Sequence, residues 1–78
     1  MATLRLFAQA REAAGTSSDE IDAPSVAAVI DVARERYGEA FDALLGTCQI
    51  WLNGEPADGD EPVRAGDEVA VLPPVSGG

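Results

Sequence analysis

The sequence closes on Gly77-Gly78, and this is the one place where its residue types suggest covalent chemistry. There is no histidine, so no nucleophile–histidine pair can be assembled, and Cys48 is the only thiol. A terminal carboxylate needs only activation. It is a poor electrophile by itself, and ATP-dependent conversion to an acyl-adenylate would open its carbonyl to attack. Two residues without a Cβ keep the chain end thin enough to enter a narrow tunnel in another protein. Gly78 is therefore the candidate reactive residue, and Gly77 the one that gives it access. The same dipeptide also suits a plain disordered terminus, so its meaning depends on the core behind it.

Immediately behind it stand Pro73, Pro74, Val75 and Ser76. Two prolines stiffen an extended exit and forbid ladder pairing on their side. The expected division is therefore a folded domain over 1–72 and an extended tail over 73–78. EVAVL (68–72) is a strand leading into that tail, and ATLRLF (2–7) alternates with Leu4 and Leu6 on one face and Thr3, Arg5 and Phe7 on the other. Residues 8–18 read as a connection with Gly15 in a positive-φ turn, and 19–22 as a short second strand anchored by Ile21. Ser25 caps the clearest helix, whose Val26, Val29, Ile30, Ala33 and Tyr37 share a face and which Gly38 ends. Residues 39–45 add a turn or two of helix up to Gly46. CQIWLN (48–53) alternates again, and Asn53-Gly54 is a hairpin turn.

One main helix between two strand pairs cannot build a doubly wound sheet. It packs across one face of a mixed sheet of four to five strands, an α+β layer pair. A right-handed crossover through the helix sets the third strand parallel to an earlier one. This is the β-grasp, or ubiquitin-like, architecture.

Composition narrows the partners. Fourteen acidic residues against five basic ones give a net charge of −9, which disfavours nucleic acid and anionic membranes and favours basic partner surfaces. The lone thiol argues against a disulfide framework and for a reducing cytoplasm. No apolar run approaches the ~20 residues of a membrane span, and the N-terminus lacks a signal-peptide layout. With no histidine and one cysteine, no metal site is expected; Asp58, Asp60 and Glu61 lack EF-hand spacing and read as a solvated face. All five basic residues are arginine. An activated terminus gains from a chain without side-chain amines, though a simple preference for arginine gives the same composition.

Two stretches carry a resemblance. LFAQARE with Gly15 following, and GDEVAVLPPVSGG over 66–78, are similar to the opening and closing motifs of the MoaD/ThiS sulfur-carrier family, in its molybdopterin synthase small-subunit branch. Asn53-Gly54 falls at the family's Val-Asn-Gly hairpin, with Leu52 in place of the valine. The resemblance implies that Gly78 is adenylated by a ubiquitin-activating-like adenylyltransferase, which consumes ATP, and is then converted to a thiocarboxylate by way of a sulfur donor protein. It further implies a hetero-oligomer with the synthase large subunit, in which sulfur passes to cyclic pyranopterin monophosphate to form the molybdopterin dithiolene. The chain would then be a sulfur-donating subunit that binds no cofactor of its own. A carrier for thiazole, cysteine or thionucleoside synthesis, a ubiquitin-like protein modifier, and a non-covalent interaction module are the competing readings.

Phe7, Trp51 and Leu72 fall opposite the Leu4/Leu6, Ile50/Leu52 and Val69/Val71 sets. If the helix covers the latter, the former make a docking face beside the tail. A one-residue shift of register would bury them instead. Arg11 is a further candidate partner contact, with a local ion pair to Glu12 as the alternative, and Cys48 reads as an inert inward-facing thiol.

Overall fold

The computed structural model describes residues 1–74; Val75, Ser76, Gly77 and Gly78 lie outside the described residues. Alternation along ATLRL makes β1, Ala2–Leu6, which buries Ala2, Leu4 and Leu6 and turns Thr3 and Arg5 outward. EVAVL makes β5, Glu68–Leu72, with Val69 and Val71 wholly buried. The two lie side by side and parallel, Leu4 against Val69 and Leu6 against Val71. β2, Ser18–Ile21, flanks β1 antiparallel. On the other side β3, Gln49–Leu52, runs antiparallel to β5, with the two-residue β4, Glu55–Pro56, beyond it. The order across the sheet is β2-β1-β5-β3-β4. The expected parallel relation of the third strand therefore holds only at a distance: β3 runs in the direction of β2 without neighbouring it, and the paired parallel strands are β1 and β5.

Three helices accompany the sheet. Residues 8–18, read as a connection, contain α1, Ala8–Ala14, closed by Gly15 at φ 79°. Ala, Gln, Arg and Glu are among the strongest helix formers, and the segment has no β-branched residue to oppose them. Its small Ala10 is fully buried. α2, Val26–Tyr37, starts as expected at Ser25, whose Oγ accepts from the Ala28 N–H at 3.1 Å. Val26, Val29, Ile30 and Ala33 enter the same core as Leu4, Leu6, Val69 and Val71. α3, Glu39–Leu45, adds Leu45 and Phe41, whose ring meets the Tyr37 ring edge to face at 5.3 Å.

Two loops are fastened by their backbones. The free N–H groups of Val26 and Ala27 at the start of α2 donate to Glu61 O at 3.0 Å and Gly59 O at 2.7 Å. A Cβ on Gly59 would stand 3.3 Å from that of Ala27, so the approach is tight. The acidic loop thus seats a helix end. At the β3–β4 turn, Asn53 and Gly54 take φ 51° and 85°, the pair of positive values a two-residue hairpin of this hand requires. The Asn53 carboxamide then reaches β5: its Oδ1 accepts from Glu68 N–H at 2.9 Å, and its Nδ2 donates to Asp67 Oδ1 at 3.1 Å. Asp67 Oδ2 also accepts from Arg64 N–H at 2.9 Å. These bonds, the Arg64 N–H foremost, hold the Asp67 carboxyl below its ordinary pKa.

The outer margin of β2 is closed by side chains. The register turns the backbone groups of Ser18 and Glu20 away from β1. Thr16 Oγ1 accepts from Ser18 N–H at 3.4 Å and donates to Ser18 O at 2.9 Å; Asp19 Oδ1 accepts from Glu20 N–H at 2.8 Å, and Arg36 donates to Glu20 O at 3.1 Å. Arg36 also pairs with Asp19 at 2.8 Å, and the Tyr37 hydroxyl donates to the same carboxylate.

Candidate functional site

Parallel pairing of β1 and β5 brings the end of one beside the end of the other, so Phe7 and α1 leave the sheet where the tail does. The alternation predicts the facing of Trp51 and Leu72, and the register agrees: Trp51 pairs with Ala70 and Gln49 with Leu72, on the face away from Val69 and Val71. Trp51 and Leu72 are half-buried, and Trp51 Nε1 donates to Gln49 Oε1 at 3.1 Å. Between β1 and β3 on this open face, Ala70 is only 9% exposed, because Arg5 and Trp51 flank it in register.

Arg5 ties the face to its rim. Its guanidinium pairs with Glu68 at 3.5 Å and stands 5.9 Å from the centre of the Phe7 ring. Phe7 has left β1 and precedes α1, 40% exposed, a large cost for an aromatic ring with nothing to cover it. Ala8 makes the turn at φ 50°, a conformation that costs an L-residue roughly 1–2 kcal/mol. The backbone thus bears strain where it turns Phe7 out beside the tail.

At the end of β5, Pro73 is half-buried and Pro74 exposed. Together with Leu72, Thr47 and Gln49 they line a groove of about 360 Å³. Thr47 and Gln49 are additions to the expected set: Thr47 sits in a loop with no pattern of its own, and only the β3–β5 register brings it to the exit. Arg11 is exposed on α1 at this same end of the sheet, and no acidic side chain, Glu12 included, pairs with it among the described residues. The tail residues Val75 and Ser76, the candidate reactive residue Gly78 and Gly77 before it are expected at this site and lie outside the described residues.

Cys48 stands just before β3, half-buried rather than fully inward, and its Sγ donates to Leu44 O at 3.3 Å. Burial pushes the thiol pKa up, away from the reactive thiolate. Asp58, Asp60 and Glu61 are exposed, and no three His, Cys, Asp or Glu groups converge as a metal would need among the described residues. No helix among the described residues is long and apolar enough to cross a membrane.

Comparison with known proteins places these features in a family context. The model of the ThiS family matches residues 4–78. A molybdopterin synthase sulfur carrier subunit from Pyrenophora tritici-repentis is 36% identical over 92% of this chain and 84% of its own length. The crystal structure of the small archaeal modifier SAMP1 from Haloferax volcanii superposes with a TM-score of 0.83 at 30% identity, covering 99% of this chain and 98% of that one. A chain in the complex of subunits 1 and 2 of molybdopterin-converting factor from Helicobacter pylori gives 0.76 at 28% identity, over 99% and 97%. The fold of these neighbours is the ubiquitin-like β-grasp expected from the sequence; in this chain α1 joins the main helix and the helical turns over 39–45 that were expected.

Proposed function

The chain belongs to the ThiS family, and from that membership we propose that it is a sulfur carrier of the molybdopterin synthase type, with Gly78 as the residue that carries the sulfur. The observation that carries the reading is the near full-length similarity to a curated molybdopterin synthase sulfur carrier subunit. Its chemistry runs in balanced steps. A Gly78 carboxylate oxygen attacks the α-phosphorus of ATP on an activating enzyme and pyrophosphate leaves. Sulfide released from a donor protein then attacks the acyl carbon, AMP leaves, and a thiocarboxylate remains. That sulfur passes to cyclic pyranopterin monophosphate within a hetero-oligomer formed with a large subunit: it bonds to a substrate carbon, water cleaves the acyl–sulfur bond and Gly78 returns as a carboxylate, and two such transfers supply the two sulfurs of a dithiolene.

The chain's own part is placement. β5 is a central strand of the sheet, so the point from which the tail departs is fixed. Phe7, Trp51, Leu72, Pro73 and Pro74 supply an apolar surface around that point, with Arg11 beside it, and a partner seated there has the tail delivered into its own catalytic cleft.

The test is the intact mass of the chain after incubation with its activating enzyme, ATP and a sulfur donor. One carboxylate oxygen should be replaced by sulfur, and deletion of Gly78 should abolish that species while the thermal transition is unchanged. A folded chain that acquires no sulfur from an active enzyme refutes the reading. A protein modifier is the second reading, favoured by the likeness to SAMP1. It requires Gly78 in amide linkage to lysines of other proteins, which peptide mapping of conjugates detects directly.

A further inference from the structure

An activated C-terminus endangers its own carrier, because any nearby nucleophile can capture the acyl group. Resting on the reading of Gly78 above, we infer that the side chains of this folded chain are inert toward its own activated terminus: none among the described residues can take the acyl group, so apart from water and an α-amino group it passes only to a nucleophile of another protein.

Four observations carry this. First, the whole sequence contains no lysine and no histidine; its five basic residues, Arg5, Arg11, Arg34, Arg36 and Arg64, are guanidinium groups that stay protonated and do not attack carbonyls. Second, local structure does not explain every arginine. Arg34 forks between Asp31 and Asp42, and Arg36 spans Asp19 and Glu20 O, contacts that suit a guanidinium. Arg11 and Arg64 are exposed and make no side-chain ion pair among the described residues, so a lysine would serve there equally well.

Third, the sole thiol is disarmed by position. Cys48 is half-buried and spends its S–H on Leu44 O, and burial raises its pKa, leaving little thiolate to form a thioester. Fourth, the one phenol is engaged as well. Tyr37 donates to Asp19, and burial first, then that bond, pushes its pKa up to about 12. Serine and threonine hydroxyls are weak nucleophiles without a general base, and with no histidine in the sequence an imidazole cannot supply one. The chain thus combines a reactive end with an unreactive body. For conjugation this means that side-chain-linked chains of this protein upon itself cannot grow: a copy joined to an amine of another protein offers no lysine to the next.

The experiment installs the acyl donor chemically, as a C-terminal thioester of the full chain with its α-amino group acetylated. It therefore does not depend on recognition by an activating enzyme, which the mass assay above tests separately. At neutral pH the native chain should only hydrolyse. Thr47→Lys places an amine on the groove that holds Pro73 and Pro74. The six residues from 73 to 78 span at most ~20 Å, enough to reach it. That variant should cyclise, one water lighter than the free acid, about tenfold or more faster than the native thioester is lost, at a rate independent of protein concentration. Arg64→Lys, at the far end of the sheet, should give linked dimers whose yield rises with concentration. Self-linked native chain, or a Cys48 thioester in it, overturns the inference. So does the absence of amide products from both lysine variants, since lack of an amine would then not be what protects the chain.

Discussion

Replacing Asn53 separates two contributions that the hairpin turn combines. The residue holds φ 51°, and its carboxamide makes two bonds to the start of β5. Exposed hydrogen bonds of this kind contribute about 0.5–1.5 kcal/mol each. Asn53→Gly removes both bonds but accepts the positive φ freely, so its cost should be about 1–3 kcal/mol. Asn53→Ala removes the same bonds and adds the left-handed penalty of an L-residue, about 1 kcal/mol, for a total near 2–4 kcal/mol. For a domain of this size that corresponds to a fall in Tm of roughly 8–30 °C. Urea titration followed by Trp51 fluorescence, two residues from the turn, reads both values, with an unchanged m-value as the check that the transition stays two-state. Equal stability of the alanine and glycine variants, within about 0.3 kcal/mol, would refute the backbone part of this reasoning, and a native-like Asn53→Gly would refute the side-chain part. Asn53 also anchors the β3–β5 register, its N–H donating to Glu68 O at 2.8 Å beside the two carboxamide bonds, and the facing of Trp51 and Leu72 depends on that register because a one-residue slip exchanges the two faces.

Phe7→Asp should weaken binding to a large subunit at least tenfold in titration calorimetry while lowering stability by no more than about 1–2 kcal/mol, because the ring is already 40% exposed; a loss of about 3 kcal/mol or more would place Phe7 in the core. The Asp19–Tyr37 pair predicts both pH limbs of stability. Asp19 is held below its usual pKa by the Tyr37 hydroxyl foremost and then Arg36, so its contribution is present above the unfolded value of about 3.9 and disappears as pH falls through the lower folded value. Tyr37 is raised to about 12, so its contribution is full below the unfolded value of about 10 and disappears as pH rises through 12. Tm against pH should therefore decline at both extremes, and Tyr37→Phe should flatten both limbs; unchanged limbs would show that the pair does not govern them.

Much of this structure is legible in the residues, and the exceptions share a cause. α2 announces itself because a capping serine, an apolar face and a terminal glycine coincide at Ser25, Val26–Tyr37 and Gly38. The strand faces are legible because a period of two sorts Leu4 from Arg5 and Val71 from Leu72. α1 hides because its buried side is alanine: Ala10 leaves no large apolar residue for a periodicity to register, and only the helix propensity of AQAREAA marks it. The parallel partnership of β1 with β5 spans 64 residues between Leu4 and Val69 in the chain's own numbering and has no local signature, since alternation assigns a face and not a neighbour. The groove at the tail exit is invisible for the same reason, with Thr47 and Pro73 meeting only through that sheet.

The closed margin of β2 has a consequence for life in a crowded solution. A sheet whose last strand shows free N–H and C=O groups is a template on which another copy can lay a strand, and repetition of that step is how fibrils elongate. Here Thr16, Asp19 and Arg36 occupy all four outward groups of Ser18 and Glu20. At the opposite margin β4 is two residues long and ends in Pro56, which has no N–H to offer. Such a sheet lets the folded chain accumulate as separate copies, because neither of its margins invites another copy to extend it.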